Sequence, residues 1–456
     1  MSSDIGIVSY AAYIPRHRVS LDEISTTLGI AAGRGDRVAA AFDEDSTTMG
    51  VEAARAAVGT RTPGSLYFAT TSPPYVDKTN ALAIHAALGL PRNTFAADVG
   101  GAARSGVAAL RSASTTGGLA VLADVITGRP GSSDERGGGD GAAAFVFGPA
   151  EEALAVSLAR IGMSEEFLDR WRVPGDRSGH QWEERFGLDK YLPLIEEAAT
   201  AALSAAGIPQ ADHVAVVSSN SAVVKRSRAF LAGRLSTSGS GLGYAGAAGI
   251  GVALTDVLDR ARPGETILLI SAADGCDAFV MRTTERIDAQ RQSHPTAAQL
   301  EQGRPLPYAA YLKWRGFLDP EPPRRPEPDR VAAPPSSRAL SWKFEFSGTR
   351  CTACQFMHLP PSRVCKNCGA VDQIAEESLI SRCGTVATYT VDRLAFSPSP
   401  PVIEAVVDFD GGGRYTLEVA DSDPGDLAVG TRVGLSFRRL NTAGGVHNYF
   451  WKARTL

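Results

Sequence analysis

The sequence lacks an excess of positive charge, a long apolar run and a basic leader. Its 456 residues carry a net charge of −4, so no overall basic field supports nucleic-acid binding. No uninterrupted apolar run reaches the roughly 18 residues that a membrane-spanning helix needs. The opening residues MSSDIGIVSY lack a basic segment followed by an apolar one, so no secretory signal is predicted. We therefore expect a cytoplasmic protein that has neither a nucleic acid nor a membrane as its partner.

Cysteine is also missing where a nucleophile is expected. The segment DVGGAARSGVAAL at 98–110 continues the strand-like TFAADV and opens a helix, whose positive dipole end would stabilise a thiolate or an oxyanion. The side chain at the expected position is the methyl group of Ala103. Ser105 is a poor substitute, because on a helix it points about 200° away from position 103. Cys276 follows a different strand and is predicted to be a small buried core residue.

The first 290 residues predict an α/β layer fold that is built twice. Short β-branched runs alternate with alanine-rich helical stretches, which is typical of α/β layers. A helix containing VEAARAAVG precedes the strand SLYFATT, and a helix containing EEAATAALSAAG precedes the strand HVAVVSS. We interpret this repetition as two related halves, at 1–165 and 166–290.

The composition changes after residue 290. A helix in PYAAYLKWRGF and a proline-rich segment fill 291–344, and seven prolines between positions 318 and 337 predict a stiff, extended linker. Short strands separated by turn residues then predict a small all-β domain, a barrel or a sandwich, at 379–456.

Four of the six cysteines lie close together within 345–378, in the order C-x2-C, ten residues, C-x2-C: Cys351, Cys354, Cys365 and Cys368. Two such pairs complete a closed tetrahedron of thiolates, so the pattern predicts a zinc ribbon whose zinc is structural. The alternatives are four unrelated thiols, or a ribbon that keeps its cysteines without the metal. A ribbon beside a small β domain also occurs in nucleic-acid binding, but the basic residues here are scattered.

These features together resemble a known combination of families. Residues 1–290 resemble the thiolase fold, and within it the hydroxymethylglutaryl-CoA synthase branch, through GIVSYAAYIPRHRV, EDSTTMGVEAARAAVG, FATTSPPYVDKTNA, GYAGAAGIGVALTDVLD and ISAADGCDAF. Residues 345–456 resemble the acyl-CoA-associated zinc-ribbon/OB-fold domain, through the four cysteines, GTVATYTVDR and VHNYFWKAR. The resemblance implies a CoA thioester as substrate and an OB-fold barrel at the C-terminus.

The resemblance also implies four catalytic groups that this sequence lacks. The family's cysteine falls on Ala103, its histidine on Ser218 or Ser219, its asparagine on Leu242, and its glutamate on about Thr71. The loss of all four argues against an acyl-cysteine intermediate.

Some relatives without the nucleophile cleave or form C–C bonds by aldol chemistry, which needs a general base and a site for an enolate oxygen. A tyrosine with a lowered pKa could be the base: the candidates are Tyr75 and Tyr244, with Asp77 and Asp274 as possible proton acceptors. The backbone N–H groups of Gly100 and Gly101 would face the enolate. Each tyrosine could instead be an amphipathic surface residue, and Asp77 a helix cap. His180 in RSGHQWEERFG is a further acid or base candidate.

Coenzyme A phosphates need cations. Lys225, Arg226 and Arg228 in VKRSRAF are predicted to begin a helix just after a strand end, a position suited to phosphate. The alternative is a solvated helix face.

Two main functions remain open, beside an unusual acyl transfer such as ester or amide formation. The first is an acyl-CoA C–C lyase or aldolase; the second is a catalytically silent CoA-binding subunit that supports an active thiolase-fold partner, as a homodimer or heteromer. A tyrosine and a carboxylate that converge on a pocket beside Ala103 would favour the enzyme. A pocket filled by Leu242 would favour the silent subunit.

Overall fold

A computed structural model describes residues 5–235 and 239–456, which form two compact units. The first unit comprises the chain up to residue 40, then 45–82 and 91–312; the second comprises 41–44, 83–90 and 313–456. Residues 291–312, predicted to open the linker segment, belong to the first unit. None of the helices in these described ranges is both long and apolar enough to cross a membrane.

Strands and helices alternate up to residue 314. The strands are β1 (Ile5–Tyr13), β2 (His17–Ser20), β3 (Asp36–Ala39), β4 (Ser65–Thr70), β5 (Phe95–Gly100), β6 (Leu119–Asp124), β7 (Gly141–Pro149), β8 (Ala155–Met163), β9 (Arg170–Trp171), β10 (His180–Gln181), β11 (His213–Ser218), β12 (Arg234–Leu235), β13 (Thr266–Ala272), β14 (Cys276–Thr283) and β15 (Arg304–Pro305). The helices are α1 (Leu21–Leu28), α2 (Ser46–Val58), α3 (Ala81–Ala87), α4 (Ser105–Thr116), α5 (Ser133–Gly137), α6 (Glu184–Ala206), α7 (Ser221–Ser227), α8 (Gly239–Leu242), α9 (Gly249–Leu258), α10 (Thr296–Glu301) and α11 (Tyr308–Trp314).

Shorter elements follow from residue 333. They are α12 (Ala333–Arg338), α13 (Leu340–Glu345), β16 (Ser347–Cys351), β17 (Met357–His358), β18 (Ile374–Ser378), β19 (Gly384–Asp392), β20 (Val402–Phe409), β21 (Arg414–Glu418), β22 (Arg432–Ala443) and β23 (Val446–Thr455).

The predicted duplication is confirmed by the strand order of the main sheet. Ten strands run in the order β12-β11-β13-β14-β8-β1-β7-β6-β4-β5. From the centre to each edge, the two half-sheets have the same topology: the order is β1-β7-β6-β4-β5 in one and β8-β14-β13-β11-β12 in the other. In both, the strand pairs near the centre are antiparallel and those near the edge are parallel. The α/β fold class is therefore the predicted one, built as two half-sheets.

The two half-sheets meet at β1 and β8 over only two residue pairs. A Cβ atom at Gly6 would lie 2.5 Å from the Cβ of Ala153 and 2.6 Å from the carbonyl oxygen of Ala155, so glycine is required for this approach. Helices α2 and α6 each pack on one half-sheet, while α9 contacts α4 and strands of both halves. All ten residues of α9 are buried, as its nearly continuous apolar sequence predicts.

The second unit contains two small sheets. A three-stranded sheet, β17-β16-β18, carries the cysteine pairs, and a five-stranded sheet runs β21-β20-β19-β22-β23. Bulges interrupt the β19–β20 and β22–β23 pairings, and a bridge between Val419 and Ala453 joins the two edges of the sheet. Bulges that bend strands and a bridge between edges are features of a closed barrel.

The predicted extended linker is wrong for its last part. Residues 333–345 form α12 and α13, and the two prolines Pro334 and Pro335 lie in the first turn of α12. Proline is tolerated there because the first backbone N–H groups of a helix have no intrahelical partner.

A buried ion network lies within the second unit. Arg438 contacts Glu44 and Asp421 at 2.7 Å, and Lys452 contacts Asp43 at 2.9 Å and Glu418 at 2.7 Å. The Arg438 and Lys452 side chains are 0% and 2% exposed. Burial alone would raise the pKa of Asp43, but Lys452 and Arg438 lower it. The network therefore keeps buried charges paired.

We expect Arg438→Ala to lower the free energy of unfolding by about 3–5 kcal/mol, because it leaves buried carboxylates unpaired. Urea titration followed by tryptophan fluorescence measures this loss. The control is Arg432→Ala on the same strand, whose solvent-exposed pair with Asp410 should contribute little to stability. Similar small losses in both variants would contradict the prediction.

Candidate functional site

The turn between β5 and α4 is open and carries no nucleophile at position 103. Gly101 has a φ of +111°, and a Cβ atom at Gly100 or Gly101 would meet no atom within 4 Å. Ala103 is half-buried two residues before α4 begins. Its methyl group offers neither a nucleophile nor a hydrogen bond.

Arg104, the next residue, links this turn to the predicted Asp274. Its guanidinium donates to the carboxylate of Asp277 at 2.8 Å, to the backbone carbonyl of Asp274 at 2.8 Å and to Ser164 Oγ at 2.9 Å. Asp274 has a φ of +49°, a strained value for a residue with a side chain. Asp274 is exposed, yet partial desolvation raises the pKa of its carboxyl against the opposing charge of Arg104.

The other two residues considered as nucleophiles are buried. Cys276 is 0% exposed within a hydrophobic cluster, which confirms it as a core residue. Burial raises the pKa of its thiol to about 12, so it is not a thiolate at neutral pH. Ser105 Oγ is buried and has no hydrogen-bond partner within the described ranges.

A buried carboxylate that the sequence reasoning missed lies at the end of β6. Asp124 is 0% exposed and accepts hydrogen bonds from Thr70, Thr71 and Ser72, and from the backbone N–H of Ala247 at 2.7 Å. Burial raises its pKa, and these donors oppose the rise. Thr71, where the family's glutamate falls, therefore holds Asp124 through its backbone N–H and its hydroxyl. An aspartate that directly follows the buried run LAVLA is a signal that could have revealed it.

Leu242 and Tyr244 have different surroundings. Leu242 is 3% exposed and belongs to the hydrophobic core, so an apolar side chain fills the position of the family's asparagine. Tyr244 is half-buried, and its backbone bonds to Gly137 and Gly139. Burial raises the pKa of Tyr244 to about 12, against the opposing charge of Arg170, whose guanidinium lies 5.0 Å from the ring centre. The lowered pKa expected of a tyrosine base is therefore wrong for Tyr244.

Arg170 in turn forms the centre of a polar cluster. It binds the carboxylate of Asp134 through both terminal nitrogens, at 2.8 and 2.7 Å, and Gln181 also donates to Asp134. Arg170 lies on β9 and Gln181 on β10, which pair antiparallel. Tyr244 also interacts electrostatically with Asp134 and Asp274, so the structure brings two of the predicted catalytic residues into one charged neighbourhood.

A cavity of about 450 Å³ adjoins this cluster. Its wall includes Asp134, Asp169 and His180, together with Ser219 and Asn220 at the end of β11. Ser219 is one of the two positions on which the family's histidine falls. His180 stacks on Trp171 with a ring separation of 5.5 Å. The cavity therefore gathers acid–base side chains from α5 and the β9–β10 hairpin, and hydroxyl and amide side chains from the β11–α7 turn.

Tyr75 lies in the β4–α3 loop, whose backbone is held by a different residue. Asn80 Oδ1 accepts from the backbone N–H of Tyr75 at 3.2 Å, and Asn80 Nδ2 donates to its carbonyl at 2.9 Å. The carboxylate of Asp98 in turn accepts hydrogen bonds from the backbone N–H groups of Asn80 and Ala81, and so caps the N-terminus of α3. Asp77, beside the almost fully exposed Val76, is exposed.

The predicted position of the phosphate-binding cations is wrong. Lys225 and Arg226 lie in the last turn of α7, and Arg228 follows it, whereas the sequence was interpreted as a helix start. Cations at a helix C-terminus interact favourably with the helix dipole, which explains the position of these residues without a bound phosphate. All three residues are exposed, so they remain available to solvent anions.

The four cysteines form one compact group that could hold a metal ion. Their sulfurs all lie within 4.8 Å of one another, with Cys351 and Cys368 at 3.7 Å and Cys354 and Cys365 at 3.5 Å. Sulfurs placed tetrahedrally around zinc at about 2.3 Å stand about 3.8 Å apart. The donor set and its spacing therefore fit zinc.

The two cysteine pairs have the same backbone turn. Cys351 N–H donates to the carbonyl of Phe356 and Cys365 N–H to that of Ala370, both at 2.9 Å. Asn367 also donates to the sulfur of Cys354 and lowers the pKa of that thiol to about 6. Two matched turns that aim sulfurs at one point are typical of a structural metal site.

We expect the purified chain to carry one zinc ion, and Cys365→Ser to lose it and to lower the melting temperature, because a structural metal contributes to folding. Elemental analysis and thermal unfolding measure both effects. The control is Cys383→Ser, which lies outside the group. Equal metal content in the two variants would contradict the prediction.

Comparisons with known proteins cover both parts of the chain. A family model described as the C-terminal OB-fold domain of ChsH2 matches residues 377–438, which confirms the predicted OB-fold. The hydroxymethylglutaryl-CoA synthase of Archaeoglobus fulgidus is 30% identical over 346 residues, which cover 68% of this chain and 98% of that protein. The enzyme of that name from Methanopyrus kandleri is 30% identical over 348 residues, 70% of this chain and 99% of that protein.

Solved structures agree on the fold. A crystal structure of HMG-CoA synthase complexed with CoA has a TM-score of 0.60 at 15% identity and covers 69% of this chain and 90% of its own. The 3-oxoacyl-(acyl carrier protein) synthase III of Pseudomonas aeruginosa has a TM-score of 0.55 at 20% identity, over 62% of this chain and 98% of its own. The thiolase-like fold is therefore confirmed, and by its similarity to these synthases over nearly their whole length the chain belongs to the hydroxymethylglutaryl-CoA synthase family.

Proposed function

We propose that this protein forms or cleaves a C–C bond in an acyl-CoA thioester by aldol-type chemistry, without an acyl-cysteine. The cavity beside the Arg170 cluster is the observation that carries the proposal. His180, Asp134 and Asp169 line this cavity. Ser219, one of the two positions where the sequence resemblance places the family's histidine, lines it as well. Acid–base groups around an open cavity suit proton transfer, whereas the methyl group of Ala103 cannot attack a thioester.

The relatives support a CoA thioester as the substrate. One structural relative is described in complex with CoA, and another in complex with 3-hydroxy-3-methylglutaryl coenzyme A. In this chain the exposed Lys225, Arg226 and Arg228 are the candidates for the phosphates. Zinc at the cysteine group would be structural, because four thiolates leave no open coordination position.

In the cleavage direction a base removes the proton of the β-hydroxyl group. The bond between Cα and Cβ then breaks, Cβ becomes a carbonyl, and the electron pair forms the enolate of the thioester. The N–H groups of Gly100 and Gly101 would stabilise the enolate oxygen. An acid finally protonates Cα, which gives a shortened acyl-CoA and a free aldehyde or ketone.

Tyr244 and Asp274 would divide the proton transfers. A hydroxyl with a pKa of about 12 stays protonated at neutral pH, so Tyr244 suits the acid step, and Asp274 suits the base step. Tyr75 is the alternative candidate for the acid, since the β4–α3 loop that carries it lies in the same unit as Tyr244.

One observation favours the second candidate, a catalytically silent CoA-binding subunit. Leu242 fills the position of the family's asparagine and is buried in the core. In that case the chain would support an active thiolase-fold partner in a heteromer, whereas the enzyme would act on its own as a homodimer. An activity assay on the chain alone separates the two.

We expect the full chain to convert β-hydroxyacyl-CoA thioesters to a shorter acyl-CoA and a carbonyl compound, detected by mass spectrometry. Tyr244→Phe should lower kcat by roughly 100-fold or more, because the acid step is lost. Tyr67→Phe, on β4 of the same unit, serves as the control. If no thioester in the panel is cleaved while CoA binds, the silent-subunit function replaces the enzyme.

We expect no acyl group to stay attached to the protein after incubation with acetyl-CoA and denaturation, because no activated thiol lies at the turn after β5. Intact-mass spectrometry measures this. Ala103→Cys tests whether a thiol at this position suffices for acylation. A stable adduct on the unaltered chain would rule out a mechanism without covalent attack.

A further inference from the structure

The side chains that line the cavity beside the Arg170 cluster carry more negative than positive charge. Four carboxylates line it, from Asp134, Asp169, Glu183 and Glu184, and Arg129 is the lining guanidinium. Asp134 is neutralised by Arg170, and Asp169 is buried. Glu183 and Glu184 are exposed, and their side chains form no ion pair within the described ranges. With Arg129 set against the exposed Glu183 and Glu184, the lining of the cavity is net negative.

The cavity also presents aromatic surface to a ligand. Trp182 lines it with 58% of its area exposed and lies 5.7 Å from Trp171, which stacks on His180. Indole faces attract cations, and they also pack against neutral apolar groups. Neither the carboxylates nor the indoles favour an anion.

We propose that this cavity receives the acyl part of the thioester and selects neutral or cationic acyl groups over acyl groups that end in a carboxylate. The inference rests on the proposed function, whose substrate class it narrows. A carboxylate that enters the cavity would give up water to face Glu183 and Glu184, whereas an ammonium group would pair with them.

Calorimetric titration of the full chain tests the proposal with three thioesters of similar size: β-alanyl-CoA, butyryl-CoA and malonyl-CoA. None has the β-hydroxyl group that cleavage requires, so binding is measured without turnover. We expect affinity to fall in that order, with β-alanyl-CoA bound roughly tenfold or more tightly than malonyl-CoA. The double variant Glu183→Gln, Glu184→Gln should reduce this ratio several-fold.

The control is the double variant Glu196→Gln, Glu197→Gln, which removes two exposed carboxylates further along α6. It should leave the ratio unchanged, since neither residue lines the cavity. Equal binding of the three thioesters, or equal effects of the two double variants, overturns this inference and leaves the proposed function in place. Failure of every thioester and of CoA to bind overturns both.

Discussion

The close approach of β1 and β8 at Gly6 is the constraint on which the first unit depends. Because the two half-sheets are copies that meet there, turns distant in sequence come together. Arg104, after β5, reaches Asp274 in the β13–β14 turn and Asp277 on β14, and Asp124 at the end of β6 reaches Ala247, two residues before α9 begins. The polar site is thus assembled from both copies, and a side chain at position 6 would separate them.

The polar groups of the first unit differ in burial and in how many donors hold them. Asp124 and Asp134 are held by several donors each and therefore fix the loops around them. Tyr244 and Asp274 are less buried than Asp124 and Asp134. A fixed frame beside titratable groups would suit the acid–base chemistry proposed above.

Much of the architecture could be predicted because hydrophobic periodicity and cysteine spacing are local signals. The doubled α/β pattern, the barrel and the four-cysteine group follow from such signals. The pairing of Asp134 with Arg170 could not be predicted, since the two residues are 36 positions apart and β7 and β8 lie between them. Lys225 and Arg226 were placed at the wrong helix end because α7 begins at Ser221, where Asn220 caps it. Residues 333–338 form a helix because Pro334 and Pro335 occupy its first turn, which composition alone does not reveal.

The ion network of the second unit has a consequence for biosynthesis. Asp43 and Arg438 are 395 positions apart, so the acidic pair at 43 and 44 leaves the ribosome long before its basic partners exist. Until β22 and β23 have been translated, these carboxylates stay hydrated. The last strands to emerge therefore complete the second unit, and a nascent chain that stops short of Lys452 cannot close it.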